Sequence, residues 1–368
     1  MKTLSICALL PLATAVSGAL WAAEAKDDKS GYKVEFGGSY LQDFVRLNDY
    51  AAQGGDDQRW LRRRGTLEAS LSHGDFTFVA EGGYSNGDTF EWRDAYIDYD
   101  MPKSWDLKLG LMKPVFGLSW TSSLKNLLTM ERTIGEDLLA IRRSPGAQLS
   151  YSPGHHLFQL GAYEETVDDE RLVKLANFRY VYENEFGAAN WHLAFSAAHE
   201  DYDGAKYRVS TRAETTVMDN FLRTDKIKAE RVDTTGFDFS WQQGRLTLMG
   251  EALANEVISP KDGNRRYQGG YLQAAWLLSG DAHAIKGGEL KRLKPQGQFA
   301  SELVVSASML DAAYGRNSGF EAVTQSVGLN FYYGDHLKLM LQANRLHVLH
   351  QFDDADGNAV MARFQLRF

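Results

Sequence analysis

The last nine residues, V-M-A-R-F-Q-L-R-F at 360–368, alternate strictly between two kinds of side chain. One set of alternate positions is apolar, and the other set is methionine, arginine, glutamine and arginine. Successive side chains of a β-strand point to opposite faces, so this pattern predicts a strand with one apolar face. The same alternation recurs at 323–333 and 337–344, and most of the chain follows it.

The chain begins with the features of a secretory signal peptide. Lys2 precedes an uncharged apolar run over 4–20, and Ala23 and Ala25 supply the two small residues of an A-x-A cleavage site. We therefore expect a signal peptide over 1–25, cut after about Ala25, followed by a single domain over 26–368. The alternative is a membrane anchor, for which the apolar run is short.

Composition restricts how the mature chain could cross a membrane. No other stretch approaches about 18 consecutive apolar residues, so a crossing requires a closed barrel in which every backbone polar group has a partner. Aromatic residues are 12% of the chain and 34 glycines stand against 7 prolines, which fits a barrel with aromatic girdles. The only cysteine, Cys7, lies in the signal segment, which suits a Gram-negative periplasm or outer membrane. The net charge of −8 gives no reason to expect nucleic acid as a partner.

Connections between the strands alternate in length. Short ones such as 72–74 and 102–104 alternate with long ones such as 113–144 and 200–230. This arrangement predicts an all-β fold, a transmembrane antiparallel β-barrel of about 16 strands that leaves an aqueous channel. The segment from Gly280 to Gln298 falls where a short turn is due, and the pattern gives no physical reason for its length.

The connection over 113–144 is the least repetitive part of the chain. Around it the sequence at 110–132 reads G-L-M-K-P-V-F-G-L-S-W-T-S-S-L-K-N-L-L-T-M-E-R. Thr-Ser-Ser at 121–123 is typical of a helix cap, and a helix-like run over 124–132 follows it. We predict that this connection folds into the bore as a constriction loop.

Several segments resemble the phosphate-selective porin O and P family. The matching segments are W-L-R-R-R at 60–64, R-D-A-Y-I at 93–97, L-G-L-M-K-P-V-F at 109–116 with T-S-S at 121–123 and M-E-R at 130–132, L-S-G-D at 278–281, G-L-N-F-Y at 328–332, L-K-L at 337–339 and R-F-Q at 363–365. They span nearly the whole mature chain in order. The resemblance implies a trimeric 16-stranded outer-membrane barrel that passes anions passively, with phosphate or polyphosphate as the best-known solutes.

The resemblance also implies which residues contact phosphate. These roles fall on Arg62 and Arg63, or on Arg63 and Arg64 because the register is open, and on Asp94, Lys113, Ser122 or Ser123, and Arg132. The family has a further arginine where this chain has Gly65 or Thr66, and another where it has Ser306. These departures weaken the expectation of phosphate as the solute more than the expectation of a preference for anions.

The arginine run at 62–64 has chemistry suited to an anion, because a guanidinium group can hold two phosphate oxygens at once. Strand parity puts Leu61 on the lipid face and Arg62 and Arg64 on the lumen face. Arg63 joins them only if a bulge shifts it or if it lies at the rim. An arginine that faces lipid at midplane depth costs about 2–4 kcal/mol, which favours the lumen. The alternative is a solvated strand end.

The other candidates each have a structural alternative. Asp94 orients the arginines or forms a salt bridge within the wall. Ser122 and Ser123 cap a helix whose free N–H groups attract an anion, or cap it without a ligand. Lys125 reaches the same anion or faces water, and Arg132 lines the constriction.

Two further arginines in the loop, Arg142 and Arg143, are expected to pair with acids at 131, 136 and 137 rather than with an anion. The sequence holds no H-E-x-x-H, G-x-S-x-G or phosphate-binding-loop motif, so we predict no catalytic residue, metal or cofactor.

Taken together, the pattern and the resemblance predict a passive anion-selective porin of the bacterial outer membrane, taking up phosphate or polyphosphate. Its expected partners are inorganic phosphate or other small anions, outer-membrane lipid and two further copies of the chain. The alternatives are a structural or receptor-type barrel with a plugged bore, a porin for a different anionic solute, and an outer-membrane enzyme.

Overall fold

The computed structural model describes residues 31–48, 57–85, 89–139, 141–167, 171–216, 221–314, 319–349 and 355–368. The segment predicted to be a signal peptide lies outside these residues. None of the helices within them is long and apolar enough to span a membrane.

Sixteen antiparallel strands close into a barrel, as the alternation predicts. In chain order the strands are β1 (Tyr32–Asn48), β2 (Asp57–His73), β3 (Phe76–Ser85), β4 (Phe90–Met101), β5 (Trp105–Met112), β6 (Ser144–Tyr151), β7 (His156–Val167), β8 (Arg171–Phe186), β9 (Ala189–Asp201), β10 (Lys206–Tyr207), β11 (Ser210–Thr211), β12 (Leu222–Arg223), β13 (Ile227–Lys228), β14 (Arg231–Gln243), β15 (Leu246–Ile258), β16 (Arg265–Leu277), β17 (Ile285–Lys286), β18 (Glu289–Leu290), β19 (Phe299–Asp311), β20 (Glu321–Tyr333), β21 (Leu337–Leu349) and β22 (Ala355–Arg367). The wall runs through β1–β9, β14–β16 and β19–β22, each paired with the next, and β22 pairs with β1 to close it. The six short strands form three two-stranded ladders in the connections.

The wall is apolar on its outer face and polar on its inner face. On β22, Val360 is 58% exposed whereas Arg363 is 1% exposed; on β16, Leu272 is 62% exposed whereas Gln273 is 8% exposed. A soluble sheet shows the opposite arrangement, because water favours polar residues outside. An apolar outer face around a polar interior is the arrangement of a barrel in lipid.

The short connections lie at one end of the barrel, where aromatic rings gather. Phe76 stacks on Tyr99 with ring centroids 4.5 Å apart, and Trp105 stacks on Tyr151 at 4.4 Å. The turn between β6 and β7 contains Gly154 with φ of 63°, a left-handed conformation that glycine adopts without steric cost. The girdle and the tight turns both match the sequence expectation for this end of the barrel.

The unexplained connection between β16 and β19 contains a hairpin, formed by β17 and β18. We call residues 285–290 the turn hairpin. It lies against β8, where the N–H groups of Gly287 and Gly288 donate to the carboxylate of Glu183 at 2.8 and 2.9 Å. The extra length of this connection therefore supplies an element that packs against the barrel wall and, as described below, against the 113–143 loop.

The connection between β9 and β14 also packs against the 113–143 loop. Thr211 donates to Asp137 at 2.5 Å, and the carboxylate of Glu214 accepts the N–H of Ile134 at 3.1 Å. Ser308 on β19 donates to the same Glu214 at 2.6 Å. These bonds tie the 113–143 loop to the wall through a second connection.

Candidate functional site

A β-bulge in β2 decides which arginines face inward. Leu41 of β1 lies opposite Arg64 and the next residue, Gln42, lies opposite Arg62, so β2 has one extra residue here, Arg63. A bulge of this kind reverses the alternation on one side of it. The prediction that Arg62 faces the lumen is therefore wrong: its side chain is exposed and lies over the Tyr84 ring at 5.5 Å. Arg63 and Arg64 both lie on the inner side.

A second bulge, in β4, turns another arginine inward. Glu81 of β3 lies opposite Asp94 and the next residue, Gly82, lies opposite Trp92, which leaves Arg93 as the extra residue. Trp92 is 62% exposed, and Arg93 Nε lies 3.2 Å from a carboxylate oxygen of Glu81. Sequence reasoning missed Arg93 as a site residue. The available signal was that Trp92 and Asp94 share strand parity although one is apolar and the other charged.

The predicted helix over 124–132 is wrong. The structure has a one-turn helix α1 (Leu118–Thr121) before this range, a 3₁₀ turn at Leu124–Asn126, and an irregular backbone after it. The reason is that wall side chains satisfy the backbone polar groups that a helix would satisfy internally. Lys338 donates to the Leu127 carbonyl and Asn330 donates to the Leu128 carbonyl, both at 2.8 Å. The side-chain oxygen of Gln342 accepts the N–H of Met130 at 2.8 Å.

The serine cap that we predicted does not form either. Ser123 makes no side-chain capping bond at the start of the 3₁₀ turn. The Ser122 hydroxyl instead donates to the Leu118 carbonyl at 2.6 Å and accepts the N–H of Leu290, in the turn hairpin, at 2.8 Å. Without a helix at this position there is no N-terminal dipole for an anion.

The carboxyl end of α1 holds two cations in place. Lys113 Nζ donates to the carbonyl oxygens of Thr121 at 2.8 Å and Ser122 at 3.2 Å. Arg132 Nη2 donates to the Ser122 carbonyl at 2.8 Å. The Trp120 ring lies 5.8 Å from Lys113 Nζ and 5.3 Å from the Arg132 guanidinium carbon. Carbonyl groups at the end of a helix favour positive charge, so this arrangement concentrates cations at one place in the loop.

Burial makes these loop charges sensitive to pH. Burial, with Arg132 and Arg143 nearby, lowers the pKa of the Lys113 ammonium well below its usual value. Burial also lowers the pKa of Arg132. Burial raises the pKa of Glu136 to about 7 although Arg132 lies beside it, with an Nε–Oε2 distance of 3.3 Å. The net charge of this cluster therefore becomes more positive as the pH falls through neutrality.

The ion pairs of the loop differ from those predicted. Arg143 bonds to Asp94 at 3.1 and 3.3 Å, and Arg142, with an exposed side chain, lies 3.5 Å from Glu165. Glu131 pairs instead with Arg63. The prediction that Arg142 and Arg143 pair with the loop acids at 131, 136 and 137 is wrong, because Asp94 on β4 and Glu165 on β7 lie within reach of these arginines.

These side chains line one cavity of 270 Å³ between the 113–143 loop and strands β2–β7. Seven basic residues line it, Arg64, Arg93, Lys108, Lys113, Lys125, Arg132 and Arg143, against three acidic ones, Glu81, Asp94 and Glu289. Of the predicted site residues, Arg64, Asp94, Lys113, Ser123, Lys125 and Arg132 line the cavity, whereas Arg62, Arg63 and Ser122 lie outside its lining. Within the described residues the buried Nε atoms of Arg64 and Arg93 make no hydrogen bond; Arg93 is ion-paired with Glu81, whereas Arg64 Nε is left as an unsatisfied donor of the cavity wall.

One group of carboxylates among the described residues has the spacing of a metal site. Ligand atoms of Asp98, Asp100 and Asp106 lie within 4.8 Å of one another near the turn between β4 and β5. Lys108 lies 3.3 Å from Asp98 and neutralises part of this charge. Exposed acidic groups are common without an ion, and we assign no metal here.

Comparison with solved structures identifies the same barrel in several bacterial outer-membrane proteins. The chain is similar to OmpT of Vibrio cholerae, with a TM-score of 0.62 and 11% identity, over 94% of this chain and 100% of that chain. It is similar to the anion-selective porin of Comamonas acidovorans, with a TM-score of 0.59 and 13% identity over 92% and 100%. It is also similar to the outer-membrane channel DcaP of Acinetobacter baumannii, with a TM-score of 0.59 and 14% identity over 93% and 99%.

No curated protein sequence matches the chain. The model of the phosphate-selective porin O and P family matches residues 34–368, which is nearly the whole barrel. The bulged arginines and the basic cavity lie within that range, as does the closed wall except for the first two residues of β1. The chain belongs to the phosphate-selective porin O and P family and is a porin of the bacterial outer membrane.

Proposed function

We propose that this porin is passive and anion-selective, and that the basic cavity is its selectivity element. The observation that carries the proposal is that seven basic and three acidic residues line the 270 Å³ cavity. The total charge of the chain is −8, so the basic lining is a local feature and not a consequence of composition. A passage lined by one sign of charge concentrates ions of the opposite sign.

In this proposal the 113–143 loop is the constriction. One side of the loop packs on the inner face of β15–β19, where Leu118 and Leu128 join Met249, Tyr271 and Val304 in a buried apolar cluster. Its other side carries the cations of the cavity towards β2–β7. The loop therefore fills part of the bore and leaves a narrower basic passage beside it.

The cavity chemistry supports small oxyanions, with inorganic phosphate as our first candidate solute. Arg64 offers an unsatisfied buried donor, and Lys113 and Arg132 present cations at the end of α1. Each hydrogen bond to a charged partner contributes about 1.5–3 kcal/mol, so a few such contacts replace much of the hydration of an anion. Conduction also requires release, which limits how many contacts an anion makes at once.

We further propose that the porin works as a homotrimer. The support is the structural similarity to OmpT of Vibrio cholerae, for which a trimer form is described, with a TM-score of 0.59 and 10% identity over 92% of this chain and 100% of that chain.

The proposal is tested by recording the purified porin in planar lipid bilayers. In a potassium chloride gradient, the sign of the reversal potential should show that chloride is more permeant than potassium. Inorganic phosphate should block the chloride current at lower concentration than sulfate does. A reversal potential of the sign for potassium would overturn anion selectivity. The absence of conductance steps would favour the plugged barrel, and equal block by phosphate and sulfate would point to a different anionic solute.

A further inference from the structure

A carboxylate of the barrel wall holds the turn hairpin. Glu183 on β8 accepts the N–H groups of Gly287 and Gly288 at 2.8 and 2.9 Å. Two backbone donors that converge on one carboxylate fix both the position and the orientation of the turn. Gly288 has φ of 74°, a conformation that side chains larger than that of glycine rarely adopt, so the sequence is suited to this contact.

A buried charge network fixes Glu183 in turn. One ring nitrogen of His192 lies 3.1 Å from Glu183 and the other lies 2.7 Å from Asp238. Arg179, fully buried, bonds to both oxygens of Asp238 at 2.8 and 3.0 Å. The loss of either partner of a buried ion pair strongly destabilises a fold. Arg179 and Asp238 therefore hold each other in place, and Asp238 in turn holds His192. The hairpin is therefore anchored to strands β8, β9 and β14.

The other side of the turn hairpin contacts the 113–143 loop. Leu290 donates its N–H to the Ser122 hydroxyl at 2.8 Å, and its carbonyl accepts the side-chain amide of Asn126 at 3.0 Å. The Leu290 side chain is buried with Leu118 and Leu128. The hairpin thus connects the wall network to the segment that positions the cations of the cavity.

This anchoring brings one acid, Glu289, to the cavity. The two other acids of the lining are ion-paired with basic residues of the same lining, Glu81 with Arg93 and Asp94 with Arg143. Glu289 is bonded at 2.9 Å to Lys291, on its own connection and outside the cavity lining. The side chain of Glu289 is 41% exposed, so its charge acts on the space of the cavity.

We propose that Glu289 is a specificity-determining residue of this porin, which lowers the affinity of the basic cavity for anions and so permits their release. The inference rests on the proposed function, since it concerns the same cavity. A carboxylate at the edge of a cluster of cations repels a bound anion and offsets part of the attraction. The cavity then retains anions less tightly than its seven basic residues alone would allow.

The test is the substitution Glu289→Gln, with inorganic phosphate as the blocking ion and chloride as the current carrier. The phosphate concentration that halves the current should fall about threefold to tenfold, the range expected for removing one nearby charge in a partly hydrated site. The chloride-to-potassium permeability ratio should rise. Glu256→Gln is the matched control, because Glu256 is 45% exposed in its side chain, pairs with Arg266 at 3.1 Å and does not line the cavity.

A second variant tests the anchoring. With Glu183→Gln the hairpin loses its ionised acceptor, so adding Glu289→Gln should then change phosphate block less than it does in the parent protein. Unchanged block and unchanged permeability ratio in Glu289→Gln, in a parent protein that is anion-selective and blocked by phosphate, would overturn the inference alone. A parent protein without anion selectivity or phosphate block would overturn the proposed function as well.

Discussion

Arg63 and Glu131 form an ion pair with two parallel hydrogen bonds, in which the Nε–Oε1 and Nη2–Oε2 distances are both 2.7 Å. Arg363 on β22 bonds to the same carboxylate. Burial alone would raise the pKa of Glu131, but the two guanidinium groups hold this pKa below its usual range. One loop carboxylate is thus held by the wall from two strands, and this contact fixes the end of the family motif at 130–132.

We expect Glu131→Gln to destabilise the barrel and loosen the loop. Removal of this shared carboxylate takes one buried ion-pair partner from Arg63 and one from Arg363, which keeps Asp43, and the expected loss is about 3 kcal/mol in the free energy of unfolding. Tryptophan fluorescence during urea unfolding in lipid vesicles measures it. Glu35→Gln removes an exposed pair with Lys33, at 2.8 Å, and should cost less than about 1 kcal/mol. Equal losses from the two substitutions would contradict this role of Glu131.

Because of the bulge in β2, we expect substitutions of two neighbouring arginines to differ in their effect on phosphate block. Arg64→Gln should weaken phosphate block of the chloride current about tenfold, because it removes a cation of the cavity lining whose buried Nε is an unsatisfied donor among the described residues. Arg62→Gln should change block less than about twofold, because Arg62 lies outside the cavity lining. Bilayer recordings at constant chloride compare them directly. Similar effects from both substitutions would mean that the bulge does not sort these side chains.

Arg132→Ala should also weaken phosphate block about tenfold, without closing the pore, since this guanidinium group lines the cavity beside Lys113 and contributes one charged contact. Arg142→Ala is the matched control from the same loop, because its side chain is 76% exposed and lies outside the lining. In single-channel records, the phosphate concentration that halves the current measures affinity, and the conductance without phosphate reports pore size. A loss of block with Arg142→Ala as large as that with Arg132→Ala would exclude a specific role for Arg132.

Anion selectivity should rise as the pH falls. With its pKa raised to about 7, Glu136 is largely ionised at about pH 8 and largely neutral at about pH 6, which removes a negative charge beside Arg132. Burial also raises the pKa of Glu214, which accepts the N–H of Ile134 in the same loop, so its protonation changes the local charge in the same direction. Burial lowers the pKa of Lys113 well below its usual value, so protonation of this ammonium group also makes the cavity more positive as the pH falls.

The measurement is the reversal potential in a potassium chloride gradient at the two pH values, because chloride does not titrate in this range. Glu136→Gln should reduce the pH dependence, since the variant cannot lose a proton at that position. Selectivity for chloride that increases with pH would contradict the assignment of these charges.

The strands were predictable from sequence because their signal is local. The alternation at 360–368 requires only that neighbouring side chains point in opposite directions, and Val360 and Arg363 lie on the faces expected. The same rule failed at Arg62 because one extra residue in a strand reverses parity. The candidate site depends on two such bulges, which explains why Arg93 was missed.

The loop could not be predicted from its own residues. Its cap-like Thr-Ser-Ser suggested a helix, yet its backbone is paired with Lys338, Asn330 and Gln342, which lie some two hundred residues away in the chain. The role of the segment from Gly280 to Gln298 was hidden for the same reason, since the residue that anchors its turn, Glu183, is on β8. Local pattern identifies strands, whereas long-range hydrogen bonds determine where the connections lie.

The pairing of β22 with β1 has a consequence for how the protein is assembled. Across this seam Arg363 bonds to both oxygens of Asp43 on β1 at 2.7 Å, and the same guanidinium group bonds to the Met130 carbonyl and to Glu131 in the loop. The last strand therefore reaches its full set of partners only when Met130 and Glu131 of the loop are in contact with Arg363. We expect closure of the barrel and docking of the loop to occur as one concerted event. A nascent barrel whose loop is undocked should then keep an open seam between β1 and β22, and its strand pairing should remain reversible.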